Sequence, residues 1–143
     1  MKPDKIKTIL LDDELRSLET LQWLLGEYCP QVDIVATFSD PFAAIKLLRK
    51  SPPDLLLLDI SMPGLNGFDL VYQLFPLSFP VIFVTAHNGP ILKALKKTGI
   101  LFLLKPVDDQ ELRAVIERAN ERQEIVSPEQ INSFRNTFLR SEE

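Results

Sequence analysis

Leu55-Leu56-Leu57-Leu58-Asp59 sets four consecutive leucines directly before an aspartate. A strand with one face in water alternates apolar and polar residues, and this run does not. It therefore suits a parallel sheet covered by helices on both sides. Apolar, partly β-branched runs at Ile6 to Leu11, Val32 to Ala36, Val81 to Val84 and Ile100 to Leu104 also end in polar residues, which predicts five strands.

Helical periodicities separate these runs: Leu21, Leu24, Leu25 and Tyr28; Ala44, Leu47 and Leu48; Phe68, Val71, Tyr72 and Phe75; Ile91, Ala94 and Leu95. A fifth stripe, Leu112, Val115, Ile116 and Ala119, follows a capping-box pair, Asp108 and Glu111. Strict alternation of strand and helix predicts a doubly wound α/β domain with five flanking helices over residues 4–124. In residues 125–143, Ser127 suits a cap, Pro128 a first helical position, and Ile131, Phe134 and Phe138 recur at helical spacing. This segment reads as either a linker or a short sixth helix, whose apolar face would dock on the domain or on a second copy.

At 143 residues, with 45% hydrophobic and 25% charged residues, the chain has the size and composition of one globular domain. Its net charge of -4 is the wrong sign for a protein that binds nucleic acid over its whole surface, and no Lys or Arg lies between Lys50 and Lys93. The lone Cys29 forms no internal disulfide, the N-terminus lacks a signal-peptide pattern, and no apolar run approaches the about 18 residues of a membrane span. Together these predict a cytoplasmic protein without a membrane partner. The five glycines match neither nucleotide-binding loop pattern.

In an open parallel sheet, ligands gather beyond the carboxyl ends of the strands. Those ends carry Asp12-Asp13-Glu14, Asp59, Thr85 and Lys105. Singly, each has a structural use: Asp13 or Asp59 as a helix cap, Thr85 as a β-branched strand end, Lys105 as a surface charge. Four of five strands ending in complementary groups on one edge point to a site instead. Close carboxylates repel one another, and hard oxygen donors suit Mg²⁺. With one carboxylate left as nucleophile, and Mg²⁺ and Lys105 shielding phosphoryl oxygens, the expected product is an aspartyl phosphate.

Leu10-Leu11-Asp12-Asp13-Glu14, Leu57-Leu58-Asp59-Ile60-Ser61-Met62-Pro63-Gly64-Leu65-Asn66-Gly67, Val84-Thr85-Ala86 and Leu104-Lys105-Pro106 resemble the receiver domain of two-component response regulators. The resemblance spans residues 6 to about 122. From Thr85-Ala86-His87 to Leu103-Leu104-Lys105-Pro106-Val107, the chain is most similar to receivers of LytTR-type regulators. It implies a CheY-like (flavodoxin-like) fold of strand order 2-1-3-4-5, with Asp59 accepting a phosphoryl group from a sensor histidine kinase. Asp13, Asp59 and the Ser61 backbone carbonyl would ligate Mg²⁺, with Asp12 acting mainly through water. Lys105 would contact Asp59 or its phosphoryl group, and the small Ala86 would leave phosphoryl access. The Lys105-Pro106 bond would be cis. Gly67 fits a tight loop that needs φ freedom.

The resemblance also implies a switch. The phosphoryl group adds roughly two negative charges, Thr85 shifts inward, and Phe102 turns into the space left, altering the face of helix four, strand five and helix five. Ser61 and His87 fall where receivers tune water access to the phosphoryl group, although His87 also reads simply as an exposed loop imidazole. The domain is expected to be regulatory, with only self-directed phosphotransfer and autodephosphorylation. The expected output is transcription, by way of a LytTR-type DNA-binding domain absent from this chain, with homodimerisation on phosphorylation as a further partner contact. A stand-alone receiver or a phosphorylation-independent dimerisation module are the alternatives. Asp59-Ile60-Ser61 lacks the Asp-x-Asp of a haloacid-dehalogenase phosphatase.

Overall fold

The computed structural model describes residues 5–87 and 89–142; Asp4, where the sequence starts the domain, and Glu143, where it ends the tail, lie outside the described residues. β3 (Leu55–Asp59) and β4 (Val81–Thr85) are buried along their whole length. Their side chains alternate between two apolar layers: Leu56, Leu58 and Phe83 face one, while Leu55, Leu57, Ile82 and Val84 face the other. This is the two-sided burial that the leucine run demands. β1 (Ile6–Leu11) pairs with β3, and β5 (Phe102–Leu104) pairs with β4, all parallel, giving the order β2-β1-β3-β4-β5.

Helices α1 (Leu15–Tyr28) and α5 (Asp109–Arg122) cover one face through Leu21, Leu25, Leu112 and Ile116. α2 (Pro41–Lys50), α3 (Gly67–Gln73) and α4 (Pro90–Thr98) cover the other through Ala44, Leu48, Phe68, Val71, Ile91 and Leu95. The Asp108 cap is realised, accepting from Glu111 N (3.0 Å), and the structure adds two more caps: Asp40 accepts from Phe42 N (3.1 Å) and Asn66 from Asp69 N (2.9 Å).

Two strand ends differ from the sequence reading. β2 (Val32–Phe38) runs two residues beyond Ala36, because Thr37 and Phe38 pair with Leu10 and Leu11 of β1 after a register shift between Thr8 and Ile9. β5 begins only at Phe102, since α4 ends in a left-handed turn at Gly99 (φ 72°) and the chain needs the next residues to reach the sheet edge.

Residues Pro128–Glu142 form a sixth helix, α6, packed on α3 and α4 of its own chain. Ser127 Oγ accepts from Gln130 N (3.1 Å) and Gln130 Oε1 accepts from Ser127 N (3.0 Å), a reciprocal capping box. Ile131, Phe134 and Phe138 enter the α3/α4 core layer, with the Phe134 ring centroid 5.4 Å from that of Phe68. At its edge, Arg135 Nε donates to Asp69 Oδ1 (2.6 Å) while the guanidinium lies 4.3 Å from the Tyr72 ring centroid. Among the described residues no helix is long and apolar enough to cross a membrane.

Candidate functional site

Parallel pairing puts the carboxyl ends of the strands on one edge of the sheet. Leu11 is level with Leu58, Asp59 with Val84, and Thr85 with Leu104, so the polar residues that follow or end these strands meet at one place. Asp12, Asp13 and Asp59 each bring a carboxylate oxygen within 4.8 Å of the others. Lys105 Nζ lies 2.8 Å from Asp12 Oδ2, 3.6 Å from Glu14 Oε1 and 3.7 Å from Asp59 Oδ2. Asp13, Asp59, Ala86, His87 and Lys105 help line a cavity of about 260 Å³ over this cluster.

Burial sets the electrostatics. Asp12 and Asp59 are 4% and 5% exposed. Loss of water, and then the neighbouring Asp12 charge, push the Asp59 carboxyl up to about 8; Lys105 offsets only part of this. Burial works against the Lys105 ammonium, but its hydrogen bond to Asp12 and the charge of Asp59 hold it above the usual lysine range. Both Asp12 oxygens are engaged, Oδ2 by Lys105 and Oδ1 by the Glu14 N–H at 2.9 Å. Three carboxylates with partial burial form a hard donor set compatible with Mg²⁺.

Thr85 is fully buried; its Oγ1 accepts from His87 N (2.9 Å), and its carbonyl accepts from Lys105 N (2.7 Å). Ala86 sits at the cavity wall. Phe102, half-buried, packs on the α3/α4 side of the sheet. The Lys105-Pro106 bond is cis; a second cis bond, Phe75-Pro76, carried no distinguishing signal in the sequence.

Three findings correct or extend the sequence reading. His87 is not a bare loop imidazole: it is half-buried, and its Nε2 is hydrogen-bonded to Ser61 Oγ at 2.5 Å. Gly67 is needed for close approach rather than for φ freedom, since a Cβ there would lie 2.7 Å from the Asp59 carbonyl oxygen and 3.1 Å from Ile60 Cα. Glu14 and Phe138 belong to the surroundings of the site although sequence reasoning gave neither a role there: Glu14 by its contact with Lys105, Phe138 by a ring contact with His87, centroids 5.4 Å apart. Glu14 was signalled by the acidic run, whereas the Phe138 stripe gave a helix with an apolar docking face but no link to the site.

Residues 8–117 match the response regulator receiver domain family. The chain belongs to this family. The receiver assignment accounts for the sheet order and for the acidic edge together, and it makes the protein a regulatory domain of a two-component system. A response regulatory protein of Vibrio cholerae is 34% identical over 114 residues, covering 79% of this chain and 48% of the relative. The transcriptional regulatory protein BtsR of Escherichia coli K12 is also 34% identical over 114 residues, covering 79% of this chain and 47% of its own length. The chain thus spans about half the length of the curated relatives it matches. Among solved structures, the receiver of the response regulator NarL from Mycobacterium tuberculosis superposes with a TM-score of 0.71 at 28% identity, covering 84% of this receiver and 100% of that chain. The isolated receiver of RcsB from Salmonella enterica, determined with the phosphomimetic BeF3-, gives 0.70 at 26% identity, covering 92% and 99%.

Proposed function

We propose that this receiver accepts a phosphoryl group on Asp59 from the phosphohistidine of a sensor histidine kinase. The observation that carries the reading is the Asp59 carboxylate at the open end of β3, sharing a cavity edge with Asp13 and lying 3.7 Å from the Lys105 ammonium. An Asp59 oxygen attacks phosphorus as the P–N bond breaks, and the imidazole leaves with the electron pair of that bond. Asp13, Asp59 and the Ser61 backbone carbonyl would hold Mg²⁺, with Asp12, whose oxygens already have partners, acting mainly through water. Bound Mg²⁺ would supply positive charge against the phosphoryl oxygens. Lys105 adds its ammonium to the same oxygens, and the small Ala86 side chain leaves them room.

Phosphorylation then draws the Thr85 hydroxyl toward the new acceptor oxygens, Phe102 follows inward, and the α4/β5/α5 face changes. Ser61 and His87 set the lifetime of the phosphoryl group, which the domain removes by its own autodephosphorylation. Output is transcriptional, through a LytTR-type DNA-binding domain, with a homodimer forming on phosphorylation. The name of BtsR and the RcsB structure bound to promoter rprA support a DNA-linked output. We place the receiver unit at residues 4–124 and the protein in the cytoplasm.

Incubation with a small phosphodonor and Mg²⁺, followed by intact-mass measurement, tests the reading. Wild type gains one phosphoryl group and Asp59→Asn gains none. Equal labelling of both proteins, or of neither, refutes Asp59 as acceptor.

A further inference from the structure

The described contacts of α6 do not stop at the core. Phe138, 6% exposed, lines a depression together with Ser61 to Asn66, the loop that follows Asp59. The same ring meets the His87 imidazole edge-on at an interplanar angle of 77°, and His87 Nε2 bonds Ser61 Oγ. The contacts that hold His87 include three to named residues: its backbone N–H on Thr85, its ring nitrogen on Ser61 and its ring on Phe138. Thr85 ends β4 and Ser61 lies in the loop after β3, both beside Asp59, whereas the third point comes from the last helix. Ser61 and His87 both line the cavity over Asp59, so the Ser61–His87 bond bridges its rim.

We propose that Phe138 is a positioning residue for the phosphorylation site. By bracing the Ser61–His87 bridge, docked α6 narrows the mouth through which donors and water reach Asp59. The inference rests on Asp59 being the phosphoacceptor. In hydrolysis a water oxygen attacks phosphorus, the bond to the Asp59 oxygen breaks, the carboxylate leaves, and the water protons pass to phosphate and solvent. A braced rim limits the approach of that water, as it limits entry of a donor. α6 contributes no group to the chemistry, and the route from it to the cavity rim in this proposal is the Phe138–His87 ring contact.

Aspartyl phosphate formation from a small phosphodonor and the subsequent decay are measured in the full chain for wild type, Phe138→Ala, His87→Ala and the double variant. Phe138→Ala is expected to speed both steps by about threefold to tenfold. In the His87→Ala background the same substitution is expected to change neither. Arg135→Ala, which removes the α6 contact to Asp69 and Tyr72 while keeping Phe138, is expected to move both rates the same way by less. It carries the test if Phe138→Ala does not fold. His87 is the chain's one histidine, so its ring proton resonances report the brace directly and are expected to shift in Phe138→Ala. Rates unchanged by Phe138→Ala and Arg135→Ala, or raised equally with and without His87, overturn this inference and leave the acceptor assignment standing. A wild type that takes no phosphoryl group overturns both.

Discussion

The Lys105 ammonium lies 2.8 Å from Asp12 but 3.7 Å from Asp59, so in this structure its shorter ion pair is with Asp12 and not with the proposed acceptor. The resemblance to receivers pointed to Asp59 or its phosphoryl group. A lysine shared in this way offsets part of the charge of two buried carboxylates at once, and a phosphoryl group on Asp59 would have a cation within a short reach.

Removing that cation leaves Asp12 and Asp59 facing one another. Lys105→Ala is expected to destabilise the domain by about 1–3 kcal/mol without divalent cation, less than a fully buried pair because the lysine keeps partial solvent contact. Urea unfolding with and without Mg²⁺ checks this, and Mg²⁺ is expected to recover part of the loss.

Asp59 carries a pH signature. Its carboxyl is pushed up to about 8 by burial and by Asp12, so between the unfolded value of about 4 and that pH the folded state holds a proton that the unfolded state has released. The resulting stabilisation is complete below about pH 4 and is lost as pH rises through about 8. Wild type without divalent cation is expected to lose about 1–3 kcal/mol over this window beyond any loss in Asp59→Asn, as read by denaturant titration at several pH values.

The same proton competes with a metal. Mg²⁺ affinity is expected to climb with pH toward about 8, by up to about tenfold per unit, and to flatten above it. Isothermal titration calorimetry at pH 6, 7 and 8, about one unit apart, checks the slope, and Asp13→Asn is expected to lower affinity throughout.

Gly67→Ala forces a methyl group against backbone. With 2.7 Å to the Asp59 carbonyl oxygen, no flexible side chain can yield, and a loss of about 1–3 kcal/mol is expected from thermal unfolding. Phosphorylation of Asp59 is expected to slow as well, because the displaced atom belongs to the proposed acceptor's own backbone.

Much of the scaffold was legible in the chain. Leu55 to Leu58 require two buried faces, and parallel strands bring the polar residues at their ends to one common edge, so Asp12, Asp13, Asp59, Thr85 and Lys105 are legible in the sequence as one cluster. What stayed hidden depends on contacts between distant segments. The extension of β2 to Phe38 follows from its pairing with β1, and Gly67 is constrained by a carbonyl eight residues away. The stripe of Ile131, Phe134 and Phe138 marked a helix but not the face that receives it, because α3 and α4 offer that surface only once both are in place. The Ser61–His87–Phe138 line joins three segments with no shared periodicity, and nothing local in the sequence encodes it.

Borohydride reduction of the phosphodonor-treated protein, followed by peptide mass mapping, tests the central claim most directly, since an aspartyl phosphate is reduced to homoserine at the residue that carried it. Homoserine at position 59 alone is the predicted result. Homoserine at position 12 or 13, or at no aspartate, contradicts the account.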